Sequence, residues 1–187
     1  YDALSACTTG AHNTGIGHDA LELVSTGSYN TGLGRDAGRQ ITTGSGNVCI
    51  GSNANDADNT THVTAVGNFA LSANQADSNT AVGNNALLSN TTGGSNNAFG
   101  DVSLDSCTTG GQNDAFGRSA LGALSDASDN VAMGYFAGAA LNSSSNTLVG
   151  YTAGSSITSG ALNCAFGHQA LDACTTGTQN VAVGKGA

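Results

Sequence analysis

A five-residue phrase with alternating sides organises the whole chain. Its order is Asn, a β-former or small polar residue, a small residue, a bulky apolar residue, then Gly. It stands as Asn13-Thr14-Gly15-Ile16-Gly17, as Asn30-Thr31-Gly32-Leu33-Gly34 and as Asn47-Val48-Cys49-Ile50-Gly51. The later anchors are Val63 (in the Asn place), Asn79, Asn96, Asn113, Asn130, Asn146, Asn163 and Asn180, so every step is 16 or 17 residues. Helical repeats run to about 33 residues or more, and this step is too short for one. Alternation with period 2 predicts a strand in each phrase. The rest of the repeat also aligns. Three residues after the Gly comes Ala, as at Ala20, Ala37, Ala70 and Ala120, then Leu or Gly, as at Leu21, Gly38, Leu71 and Leu121. Three further on lies a mostly apolar site, as at Val24, Ile41, Cys107, Leu124, Leu141, Ile157 and Cys174, before a turn such as Thr108-Thr109-Gly110.

One strand per short repeat predicts an all-β fold, a parallel β-solenoid or β-roll of eleven 16–17-residue coils without helices. The repeats fill 1–187 as a single tract with no second domain. Coils stacked at the usual strand spacing of about 4.8 Å make a rod roughly 50 Å long. The fourth residue of the phrase is bulky in every copy: Ile16, Leu33, Ile50, Val66, Val82, Phe99, Phe116, Met133, Val149, Phe166 and Val183. It is expected to point inward as an apolar spine. The small residue before it then points outward. Ala65, Ala81, Ala98, Ala115, Ala132, Ala165 and Ala182 form a flat strip that lets another chain approach closely. The constant Gly suits a turn with positive φ. The Asn column is expected to stack its amides from coil to coil, as in cross-β arrays.

Composition agrees with a rod built from backbone. There are 28 Gly, no Pro and no Trp; 39% of residues are hydrophobic, 5% aromatic and 9% charged. Large rings are too few for a conventional core, yet the apolar share is too high for a disordered chain. A net charge of -9 with four Lys plus Arg argues against a nucleic-acid binder. No apolar run approaches the roughly 20 residues of a membrane span. Tyr1 and Ala187 both fall inside a repeat, so the tract is expected to be part of a longer fibre or a filament subunit whose ends meet other copies.

The phrases Asn79-Thr80-Ala81-Val82-Gly83-Asn84-Asn85-Ala86-Leu87 and Thr91-Thr92-Gly93-Gly94-Ser95-Asn96 resemble the tandem repeats of fibrous surface adhesins and phage tail fibres. They are similar in design to the head repeats of YadA-type trimeric autotransporter adhesins, where a Val-Ala-Ile-Gly phrase recurs at a shorter step. The resemblance covers all 187 residues. It implies a homotrimer of β-rolls displayed outside a cell or on a virion.

Little in the chain points to catalysis. Cys7, Cys107 and Cys174 share one ladder position but lie six and then four coils apart, about 29 Å and 19 Å at strand spacing. A disulfide needs Cα atoms within about 7 Å. Cys164 and Cys174 share a coil; a bond across it and a pair of buried thiols are both open readings. Cys49 has no evident partner, and no Cys/His spacing suggests zinc. His12, His18, His62 and His168 are turn residues on scattered coils, with no nucleophile and oriented base between them. Asp56 with Asp58, and Asp126 with Asp129, read as solvated turn carboxylates rather than calcium ligands. No enzyme activity, cofactor or metal is expected.

One surface stripe stands apart. The residue after the Gly is Arg118, Tyr135, Tyr151, His168 and Lys185 in consecutive coils, with Phe136 beside it. Such a column suits stacking on sugar rings and hydrogen bonding to hydroxyls, which makes a cell-surface glycan a candidate partner. Packing against a neighbouring protomer is the other use of the same stripe. The sequence thus reads as a structural or adhesive segment of an extracellular fibre. Its alternatives are an end-to-end stacking filament subunit and an ice-binding solenoid. In the last, the ordered Thr columns are broken by Val48, Asn97, Asp114, Val131, Cys164 and Val181.

Overall fold

The computed structural model describes residues 2–57 and 59–187. Eleven three-residue strands follow the phrase in every repeat. They are β1 (Thr14–Ile16), β2 (Thr31–Leu33), β3 (Val48–Ile50), β4 (Thr64–Val66), β5 (Thr80–Val82) and β6 (Asn97–Phe99). The series continues with β7 (Asp114–Phe116), β8 (Val131–Met133), β9 (Thr147–Val149), β10 (Cys164–Phe166) and β11 (Val181–Val183). Each strand pairs in parallel with its neighbours in chain order, so one sheet runs the length of the rod without a crossover. Register follows the repeat: Ala81 lies beside Ala98, and Val82 beside Phe99. Among the described residues there is no helix. The chain is a β-solenoid of about ten turns, and the fold expected from the repeat is the fold observed.

The two faces of the sheet are the reverse of the expectation. Ala65, Ala81, Ala98, Ala115, Ala132 and Ala165 are fully buried inside the coil, and Ala182 nearly so. They are therefore walled off from any other chain. The bulky ladder points out: Ile16 is 59% exposed, Leu33 44%, Met133 47% and Val183 72%. The physical reason is the width of the lumen. The opposite wall already fills it with Leu21, Leu71, Leu87, Leu104 and Leu121, backed by Val24, Ile41, Leu124, Leu141 and Ile157. The sheet must answer with small residues, because overpacking costs about 1–3 kcal/mol. A Cβ added at Gly32 would sit 2.8 Å from Leu21 Cγ. Size exchange across the lumen proves the rule. The Leu column shrinks to Gly at Gly138 and Gly154, and there β9 carries Leu148 in the Ala place, its methyls within 3.0 Å of where their Cβ atoms would be. At Gly38 the same space is taken by Cys49.

The Asn column closes the second corner of each coil. Asn30, Asn47, Asn79, Asn96, Asn113, Asn130 and Asn146 are fully buried. Each Oδ1 accepts chiefly from the backbone N–H of the next anchor, as Asn96 Oδ1 does from Asn113 at 3.0 Å. Nδ2 donates across the turn, as from Asn113 to the carbonyl of Ala127 at 3.0 Å. Amide-to-amide bonds join most rungs as well, such as Asn130 Nδ2 to Asn113 Oδ1 at 3.1 Å. The ladder expected from sequence is present, with the backbone as its main partner. Where Val63 interrupts it, Asn74 supplies the missing acceptor: its Oδ1 takes Asn79 Nδ2 at 3.1 Å and Asn90 Nδ2 at 2.6 Å. Buried amides must be paired in this way, or each costs about 1–3 kcal/mol.

Candidate functional site

With Ala inward, residues one and three of each strand share the outward face. One outward column is the bulky ladder; the other runs Thr14, Thr31, Val48, Thr64, Thr80, Asn97, Asp114, Val131, Thr147, Cys164 and Val181. The bulky rungs touch along the axis, as in the pair Phe99 and Phe116, stacked at 5.0 Å and 6°. Beside them Asn97 Nδ2 donates to Asp114 Oδ1 at 2.7 Å. The result is an apolar ridge of exposed and half-exposed rungs on a sheet face that no other element covers among the described residues. Sequence reading placed this surface inside. The signal that locates it is the Leu column of the opposite wall, which competes for the same lumen.

The corner after the constant Gly carries the second surface, where the residues of the expected stripe adjoin from coil to coil. Arg118, Tyr135, Tyr151, His168 and Lys185 are all exposed, and Phe136 is half-buried at their side. Tyr135 stacks on Tyr151 at 5.4 Å and 10°, and Tyr151 on His168 at 5.0 Å and 16°. Phe136 leans on Tyr135 at 4.6 Å and 45°. Arg118 caps the stack, its Cζ 5.9 Å from the Tyr135 centroid and 5.7 Å from that of Phe136. Its Nη1 donates to Tyr135 Oη at 3.3 Å and its Nε to Asp101 Oδ2 at 3.2 Å. These bonds, that to Asp101 first, hold the guanidinium above its ordinary pKa. Lys185 follows His168 one coil on and makes no hydrogen bond or ion pair among the described residues. One expectation is corrected by the stacking. The rings cover each other's faces, so a sugar cannot lie on them along the column; ring edges and polar tips face outward.

The remaining candidates are dispersed. His18 Nδ1 lies 3.0 Å from Asp19 Oδ2, and Asp36 joins them with all three ligand atoms within 4.8 Å. Sequence reading missed this cluster because it arises between adjacent coils. Arg35 Nε already stands 3.4 Å from Asp36 Oδ2, which makes it an ion-pair group. Asp56 is half-buried, its pKa raised by burial, with Arg39 Nε 3.9 Å away; Asp58 lies outside the described residues. Asp126 and Asp129 are exposed. His12 stacks on Tyr29 at 4.9 Å, and His62 sits on a separate coil.

All five cysteines are free thiols. Cys164 stands on the outward face of β10 while Cys174 packs against the core from another wall, so the two do not meet. Burial pushes the thiol pKa of Cys49 up to about 12 and that of Cys107 to about 11. Since the thiolate is the reacting form, Cys7 should label with a disulfide reagent at once in the native rod, and Cys49 and Cys107 only after unfolding. Mass mapping of the labelled peptides checks this; rapid native labelling of Cys49 would contradict its place in the lumen.

No family model matches the chain, no curated protein matches it, and no solved structure matches it.

Proposed function

We propose that this chain is a stiff segment of an extracellular fibre, in which parallel copies join through their outward sheet faces, three about a common axis. It works as a mechanical and adhesive rod without catalysis, at a cell surface or on a virion. The observation that carries the reading is the uncovered apolar ridge on an all-parallel sheet. Sheets of this kind occur almost only with both faces covered. Exposed apolar patches beyond a few hundred Å² mark interaction sites. Eleven rungs at about 4.8 Å, by a face about 10 Å wide, offer about 500 Å² per copy. Two such faces bury about 1,000 Å², the lower bound of a specific interface. The partner must present side chains at the same spacing to pack rung for rung, and another copy of this chain does so by construction. The head repeats of trimeric adhesins, which the phrase resembles, suggest the three-fold arrangement.

Val82→Asp tests the reading. The side chain lies on the outward face, so the isolated coil should keep its strand signal in circular dichroism. In the assembly it brings like charges together in an apolar seam at about 3 kcal/mol, a loss of roughly 100-fold in association. Light scattering should show the variant as single chains at concentrations where the parent is assembled. An unchanged mass would refute the interface. An ice-binding surface is the second reading, since Thr14, Thr31, Thr64, Thr80 and Thr147 share one outward column. Freezing-point hysteresis in the purified chain would favour it over self-association.

A further inference from the structure

We propose that the ring column from Arg118 to Lys185 is a binding track for a linear, carboxylate-bearing polysaccharide lying along the rod. Four observations on the column point the same way. Its side chains recur once per coil, with ring centroids 5.4 and 5.0 Å apart, a spacing comparable with one sugar unit of an extended chain. The ligand must therefore repeat too. The stacked rings have their faces occupied, so what they offer is a comb of edges and polar atoms: the Tyr135 and Tyr151 hydroxyls and the His168 imidazole. A comb of this kind suits a ligand with hydroxyls at regular intervals and lacks the apolar anchor pocket that a protein hot spot uses. The stack also fixes each side chain beforehand, so little rotamer freedom is lost on binding.

Charge selects the sugar. The chain carries -9 overall, yet three of its four Lys and Arg residues (Arg35, Arg118, Lys185) and two of its four His (His18, His168) occupy the single position after the Gly. Arg118 is partly neutralised by Asp101, whereas His168 and Lys185 have no anionic partner among the described residues. A polyuronate carries a carboxylate on every sugar, and hyaluronate on every second one, within reach of Arg118 and Lys185, while the hydroxyls meet the phenols and the His168 imidazole. Weak contacts at successive rungs then add up, because each bound unit raises the local concentration of the next.

The inference draws on the extracellular setting proposed above, but its test reads the column alone. Polygalacturonate, hyaluronate and a neutral cello-oligosaccharide are titrated into the whole chain by calorimetry. At least one of the two acidic chains should bind, more tightly than the neutral one and less tightly as salt rises. Tyr135→Phe with Tyr151→Phe keeps the stack and removes the hydroxyls, and should weaken that binding about tenfold. Lys185→Gln should reduce it and flatten its salt dependence, and Ser52→Ala, on the same corner four coils before Arg118, should leave it unchanged. Binding of neither acidic chain, or equal binding by the double Phe variant, overturns the proposal. A monomeric chain that binds would refute the self-association and leave this track standing.

Discussion

Ala115→Arg should destroy the middle of the rod. Ala115 is fully buried, in register between Ala98 and Ala132, and the Leu residues of the opposite wall leave no room beyond a methyl group. An Arg there overpacks the lumen, at about 1–3 kcal/mol or more. It also buries a charge without a partner, at about 3–5 kcal/mol. Together these rival the roughly 5–15 kcal/mol that holds an ordinary domain folded. Each coil contacts only its neighbours, so the loss starts locally and spreads outward along the array. Thermal melting by circular dichroism and limited proteolysis check it; Ala115→Ser is the mild control. A variant that melts like the parent would mean that the Ala strip faces solvent after all.

Gly100→Ala should be nearly as damaging, for a different reason. Gly100 has φ 143°, a conformation that L-residues avoid, and an added Cβ would lie 2.6 Å from both the carbonyl carbon and oxygen of Gly117 in the next coil. The backbone strain costs about 1–3 kcal/mol. The clash is with main chain, which cannot step aside without separating the coils, and adds a similar amount. Gly184 separates the two terms: its φ is 127°, but nothing lies within 4 Å of its added Cβ. Gly184→Ala should therefore lower the melting midpoint clearly less than Gly100→Ala. Equal shifts would assign the whole effect to φ and remove close stacking as the reason for the Gly column.

Strand positions, strand count and parallel order were all legible in the sequence, because the fixed step and the strict phase of Asn and Gly leave one way to stack; the eleven strands close about ten turns rather than the eleven coils expected. Which face looks inward was not. Alternation at Ala81 and Val82 distinguishes two sides and is silent about which is the core. The bulk of Phe99 or Met133 is a misleading guide when the lumen is narrow and another wall supplies its filling. The deciding evidence was distributed: Leu148 is large where Gly138 and Gly154 are small, and that exchange makes sense only across a shared interior. The ring column from Arg118 to His168 was legible because equal phase means adjacent rungs. That its ring faces are mutually covered depends on side-chain rotation, which phase does not encode. Asn74 and Asn90 stand where most other repeats are apolar, a departure visible in sequence whose purpose needs the gap at Val63 to explain it.

Sedimentation equilibrium of the unmodified chain is the most direct measurement of whether the outward ridge is a seam between copies. A trimer has three times the 18.2 kDa of one chain, with the apolar ladder from Ile16 to Val183 buried along the axis, and that mass is the expected result. A mass of 18.2 kDa at every concentration up to the solubility limit would contradict it, and would leave the ridge exposed to water along the whole rod.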